Sequence, residues 1–157
     1  EGRIEKGIRS SVNLEMNYYD DWAEICSEVR RMIFDRLGDY VPRIHQKLLK
    51  SLYNDGYDSS YSLLKYEPGP VGCDWHNDFL FDDFSPRGGV RTITWLFYLN
   101  ECEGGETEFY DGTKIKCETG KLVFFPSTWC MLHRGCPVLS GVKYIAVGWI
   151  YSRWNAK

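Results

Sequence analysis

Three histidines occur in the chain, and one of them stands two residues before an aspartate in His76-Asn77-Asp78. On a strand, residues i and i+2 point to the same side, so this imidazole and carboxylate can meet one ion. His133 follows 55 positions after Asp78, in Leu132-His133-Arg134-Gly135. Two imidazoles and a carboxylate on one face of an octahedron leave three positions open, and the donor set suits Fe(II). Open positions admit a chelating oxo-acid and oxygen. Singly, the parts are commonplace. H-x-D occurs by chance in many proteins, and a lone histidine is more often a satisfied core or loop residue than a ligand. His45 has no partner in sequence and reads as a helix-surface residue.

A third feature is Lys143, ten residues after His133 and at the start of the last apolar run. A lysine at a strand edge is ordinarily a solvated charge. One buried in a β core needs an anionic partner, because burying a bare charge is costly. A dicarboxylate whose near end chelates a metal places its far carboxylate several ångströms away, where Lys143 can meet it as a point charge.

The elements that must position these groups change character along the chain. Asp20 and Asp21 precede a run with one apolar face at the helical period: Trp22, Ile25, Cys26, Val29, Met32, Ile33 and Leu37. Asp is a good helix N-cap and Gly38 a good stop. A second helix is expected over Val41 to Tyr53, ended by Asn54-Asp55-Gly56. From there the period is two. Strands are expected over Tyr61–Tyr66, His76–Phe81, Val90–Asn100, Glu106–Tyr110, Lys114–Cys117, Lys121–Phe125 and Lys143–Tyr151. In the third of these, Thr92, Thr94, Leu96 and Tyr98 share one face, and Ile93, Trp95, Phe97 and Leu99 the other. Asp111-Gly112 is a hairpin signal. The expected architecture is mainly β with N-terminal helices (α+β): a sandwich or barrel, with a double-stranded β-helix, or jelly roll, fitting the strand count and closing its own edges. One domain is expected over 1–157, with helical support at about 19–54 and the β core at about 60–152. The segment from Phe79 to Gly89 mixes aromatics, acids and glycine, as a mobile substrate loop or a plain connector would.

Composition bounds the partners. The net charge of −3 provides no general grip on nucleic acid. No stretch reaches the roughly 18 apolar residues that span a bilayer, and no signal-peptide pattern opens the chain, so a cytoplasmic location away from membranes is expected. Glu1 to Lys6 read as a domain edge. The six cysteines show no C-x-x-C spacing, which points to reduced thiols, with Cys102 and Cys117 the pair to test first for a disulfide.

Taken in order, several blocks resemble one family. They are Tyr66-Glu67-Pro68-Gly69; His76-x-Asp78; Arg91 through Asn100; Gly104-Gly105-Glu106-Thr107; Gly120-x-Leu122-x-Phe124-Phe125; His133-x-Gly135-x-Pro137-Val138; and Gly141-x-Lys143-Tyr144-x-Ala146-x-x-Trp149-Ile150. Their order and spacing are similar to the prolyl 4-hydroxylase branch of the Fe(II)- and 2-oxoglutarate-dependent dioxygenases, over more than half of the chain. The resemblance implies a cupin-like double-stranded β-helix. It gives the iron to His76, Asp78 and His133, and the far carboxylate of 2-oxoglutarate to Lys143. Tyr66 and Tyr98 match the oxo-acid tyrosines, with Thr94 on the same expected face as Tyr98. Trp149 shares a strand face with Lys143, and Arg91, Trp149 and Glu106 are substrate candidates. The implied reaction hydroxylates a prolyl residue in a peptide or protein and releases succinate and CO2, with ascorbate as a further cofactor.

The chain departs from the pattern at Cys73, where the family often carries tyrosine. The nucleic-acid-dealkylating branch holds its oxo-acid with arginines farther after the distal histidine, and Lys143 argues against it. Two alternatives stay open: a hydroxylase of a free amino acid or other small molecule, and a non-catalytic jelly-roll module that keeps the donors for a structural metal.

Overall fold

The computed structural model describes residues 3–4, 11–16, 20–40, 57–58, 61–82 and 89–152. The chain runs β1 (Arg3–Ile4), β2 (Val12–Glu15), a 3-10 turn (Asp20–Trp22), α1 (Ala23–Tyr40), β3 (Tyr57–Asp58), β4 (Ser62–Tyr66), β5 (Cys73–His76), β6 (Phe81–Asp82) and β7 (Gly89–Tyr98). It continues through β8 (Glu103–Gly104), β9 (Thr107–Phe109), β10 (Lys114–Ile115), β11 (Leu122–Pro126), β12 (His133–Gly135), β13 (Val138–Ser140) and β14 (Lys143–Ser152). The larger sheet has the order β1-β2-β4-β14-β7-β11, with β3 beside β14 and β6 beside β7; the smaller has the order β10-β9-β12-β5. Every pairing is antiparallel. This is the jelly-roll arrangement expected from the strand count.

The two long central strands explain the layering. In β7, Ile93 and Trp95 project to one side, where they join Ile33 and Leu37 of α1 in one apolar cluster. Leu96 and Tyr98 project to the other and pack with Tyr66, Ile145 and Val147 in a second cluster between the sheets. The large sheet is therefore buried on both faces, which is why β7 and β14 read as nearly continuous apolar runs. Neighbouring chains approach closely at Gly148, which pairs with Trp95. A Cβ there would stand 2.7 Å from Trp95 Cε2, against an indole that is fully buried. Gly148→Ala is expected to lower unfolding stability by about 1–3 kcal/mol through overpacking, read as a lower denaturation midpoint at unchanged m-value.

Three expectations are corrected. The first helix does not stop at Gly38 but runs to Tyr40, because the Tyr40 ring packs on Phe124 with centroids 5.4 Å apart, a contact that offsets the roughly 1 kcal/mol a helical glycine costs. Ile25 lies outside the buried stripe and is exposed; the stripe is centred on Ile33 and Leu37. The strand expected over His76–Phe81 ends at His76 and resumes only at Phe81. There the Asn77 side chain accepts a hydrogen bond from the Phe79 N–H at 3.1 Å and turns the chain out of the ladder. The second helix expected over 41–53, with His45, and residues 83–88 of the candidate loop lie outside the described residues. All six cysteines are free thiols. No helix among the described residues is long and apolar enough to cross a membrane.

Candidate metal centre

His76 ends β5 and His133 begins β12, and the two strands pair with these residues directly opposite. Both rings fall on the inner face, with centroids 4.3 Å apart. His133 is 4% exposed, with the rings of Phe109 and Phe125 against it. Each Nδ1–H donates to the carbonyl oxygen two residues earlier, His76 to Asp74 at 2.7 Å and His133 to Met131 at 3.0 Å. A carbonyl only accepts, so in its neutral form each ring carries its proton on Nδ1 and turns the Nε2 lone pair inward. Asp78 completes the set, with Oδ1 3.9 Å from His76 Nε2 and Oδ2 3.6 Å from His133 Nε2. All three ligand atoms lie within 4.8 Å of one another.

The two rings are shifted in opposite directions. Burial works against a charged His76 ring, yet Cys73, the Asp74 carbonyl and the Asp78 carboxylate outweigh it and raise the imidazolium to about 9. His133 goes the other way. Burial pushes it down, and the neighbouring His76 adds to that against the pull of Asp78.

Lys143 reaches the same cavity from the first residue of β14. It is 4% exposed. Its Nζ donates to Gly105 O at 2.7 Å and lies 5.4 and 5.3 Å from the ring centres of Tyr66 and Tyr98. Gly104 and Gly105 both adopt positive φ, 72° and 67°, and this tight turn aims the Gly105 carbonyl at the ammonium. Among the described residues no carboxylate forms an ion pair with Lys143. Burial accordingly lowers its pKa, and nearby thiols oppose that only in part. The cavity thus holds a buried cation with two spare donors, opposite a convergent metal-donor set.

The structure brings most of the expected site residues to this cavity. Tyr66, Trp149 and Cys73 line it with the three donors and Lys143. The Tyr98 hydroxyl bonds Thr107 Oγ1 at 2.6 Å, and burial pushes its phenol up to about 12, so it keeps its proton. Thr94 donates to Asp78 Oδ2 at 2.8 Å. Arg91 lies 3.6 Å over the Trp149 ring and donates through Nε to Tyr151 at 3.0 Å. The Trp149 indole N–H is buried without a protein acceptor. Tyr98, Thr94, Arg91 and Glu106 do not line the cavity. Thr107, expected with Glu106 as a substrate-contact hairpin, lines the cavity beside Lys143, and the period of two in β9 places it inward with Phe109. One residue escaped the sequence reading. Ser127, after β11, is joined to Thr94, and nothing local in its sequence marks it.

Residues 61–151 match the 2OG-Fe(II) oxygenase superfamily. Prolyl 4-hydroxylase 1 of Arabidopsis thaliana is 34% identical over 173 residues, covering 92% of this chain and 56% of the relative. Prolyl 4-hydroxylase 13 of the same plant is 29% identical over 132 residues, covering 68% of this chain and 48% of the relative. The chain spans about half the length of these curated relatives. Among solved structures, the viral collagen prolyl hydroxylase of Paramecium Bursaria Chlorella virus-1, in complex with 2OG, superposes with a TM-score of 0.69 at 26% identity, covering 95% of this chain and 82% of that one.

Proposed function

Because the chain belongs to the 2OG-Fe(II) oxygenase superfamily, in its prolyl 4-hydroxylase-like branch, we propose that it hydroxylates a prolyl residue in a peptide or protein, holding Fe(II) through His76, Asp78 and His133 and 2-oxoglutarate through Lys143. The observation that carries this reading is the buried Lys143, with no carboxylate partner among the described residues, lining the same cavity as two imidazoles and a carboxylate. A structural metal would call for a closed, four-donor site; among the described residues three donors converge.

The donor set fits the metal, two neutral imidazoles and a carboxylate being the composition of an open Fe(II) site. Iron and the oxo-acid, when bound, would supply the oxidation itself: one atom of O2 would turn a substrate C–H into C–OH and the other would enter the succinate formed as the oxo-acid loses CO2. The protein's part is positioning and exclusion of water. The Met131 and Asp74 carbonyls fix the two imidazoles. Lys143 meets the far carboxylate, with the protonated Tyr98 phenol beside it and Tyr66 against its stem. Arg91, stacked on Trp149, would hold the indole against the cavity it lines. Ascorbate is proposed as an accessory reductant.

A peptide fits better than a small metabolite because exposed apolar side chains flank the donors in sequence. Trp75 precedes His76, Phe79, Leu80 and Phe81 follow Asp78, and Trp129 stands shortly before His133. Exposed apolar side chains grouped around a site suit an interaction surface. Succinate release should therefore rise with proline-containing peptides and stay at background with free amino acids. Turnover with a free amino acid alone would overturn the peptide reading and leave the cofactor assignment standing.

A further inference from the structure

Of the three metal-donor candidates, Asp78 has the weakest backbone support. The histidines face each other in a strand register and are tied by Nδ1–H to carbonyl bonds. Asp78 lies beyond the end of β5, after the Asn77 turn. Its side chain is nevertheless only 10% exposed and is held close to both imidazoles. What holds it is a chain of two hydroxyls. Thr94, fully buried in the middle of β7, donates to Asp78 Oδ2 at 2.8 Å. Its oxygen also contacts Ser127 Oγ at 2.8 Å, and Ser127 is 1% exposed.

Proton counting gives this chain a direction. An ionised carboxylate only accepts. The single Thr94 proton therefore goes to Asp78, and the Ser127 hydroxyl must donate to Thr94. Ser127 is itself anchored to β7, its N–H bonding Thr92 O at 3.0 Å. A single rigid strand thus fixes both hydroxyls, and both point their donors toward Asp78.

We infer that Ser127 and Thr94 are positioning residues for the metal, a directed Ser127→Thr94→Asp78 hydrogen-bond chain that does for the off-strand carboxylate what strand pairing does for the two histidines. This rests on the reading of Asp78 as a metal ligand. Outer partners of metal ligands typically alter metal affinity by about 10–100-fold when removed.

The test is Fe(II) affinity measured anaerobically by chelator competition, with the melting temperature of the metal-free protein and the 2-oxoglutarate affinity recorded for each variant. Thr94→Val, which keeps the shape and removes the donor, should weaken Fe(II) binding by about 10–100-fold. Thr94→Ser should restore it. Ser127→Ala, two hydrogen bonds from the ion, should weaken it by a smaller factor in the same direction. Should Thr94→Val not fold, Ser127→Ala decides the matter. The inference is overturned if both variants bind Fe(II) like the wild type, if only the metal-free melting temperature moves, or if the loss appears in 2-oxoglutarate affinity alone. Failure of the wild type to bind Fe(II) would instead remove the metal reading, and this inference with it.

Discussion

Lys143→Ala will raise the 2-oxoglutarate concentration required for half-maximal turnover by about 30-fold or more, while the Fe(II) requirement stays within a few-fold of wild type. The magnitude follows from removing one partner of a buried charge pair, which costs about 2–5 kcal/mol, each 1.4 kcal/mol being tenfold. The selectivity is expected because Lys143 lines the same cavity but is bonded to Gly105 rather than to any of the three donors. A structural lysine would behave differently. Here the ammonium is buried with no carboxylate partner among the described residues, so its removal should leave the unliganded protein at least as stable. The pH dependence has a definite sign. The binding form is the protonated ammonium, and burial lowers its pKa. Oxo-acid affinity should therefore fall as pH rises through a range below that of an ordinary lysine. Lys143→Arg, charged at every accessible pH, should lose that alkaline limb even if its longer head fits less well. An unchanged 2-oxoglutarate requirement, or equal loss of both requirements, would contradict the assignment.

His76→Ala should abolish Fe(II) binding in the working range, weakening it by more than about 100-fold, the upper end of what a lost outer partner costs. His76 is the better probe of the two histidines because its side chain is 30% exposed against 6% for His133. Truncating it leaves a gap open to solvent, and the melting temperature should change little. His133→Ala would instead empty a site enclosed by Phe109 and Phe125 and lower stability as well as affinity. Added imidazole should partly restore iron binding to His76→Ala. Wild-type affinity in that variant would mean that the convergence of donors is incidental.

Much of this arrangement was legible in the sequence, for identifiable reasons. The apolar alternation in β7 and β14 is long enough to leave one reading, and the two strands pair in the centre of the large sheet. Lys143 stands out because a cation opens the most buried strand in the chain. The H-x-D pair was read as a strand motif, and here the physical reason differed from the expected one. The strand ends at His76, and Asp78 is returned to the site by Thr94 across a turn. Thr94 itself had been given to the oxo-acid by its shared face with Tyr98, whereas its single proton is directed to Asp78. Ser127 was invisible because its partner is 33 residues away, a separation that no periodicity reports. Tyr40 carried α1 past Gly38 through a contact with β11 that lies outside any local propensity.

If His76, Asp78, His133 and Lys143 form one site for Fe(II) and 2-oxoglutarate, an anaerobic titration of the protein with Fe(II) in the presence of 2-oxoglutarate, followed in the visible range, will show it. The weak charge-transfer band of an iron-bound oxo-acid chelate is expected, saturating at one ion per chain and missing from His76→Ala. No band in the wild type, or a band unchanged in His76→Ala, would contradict it.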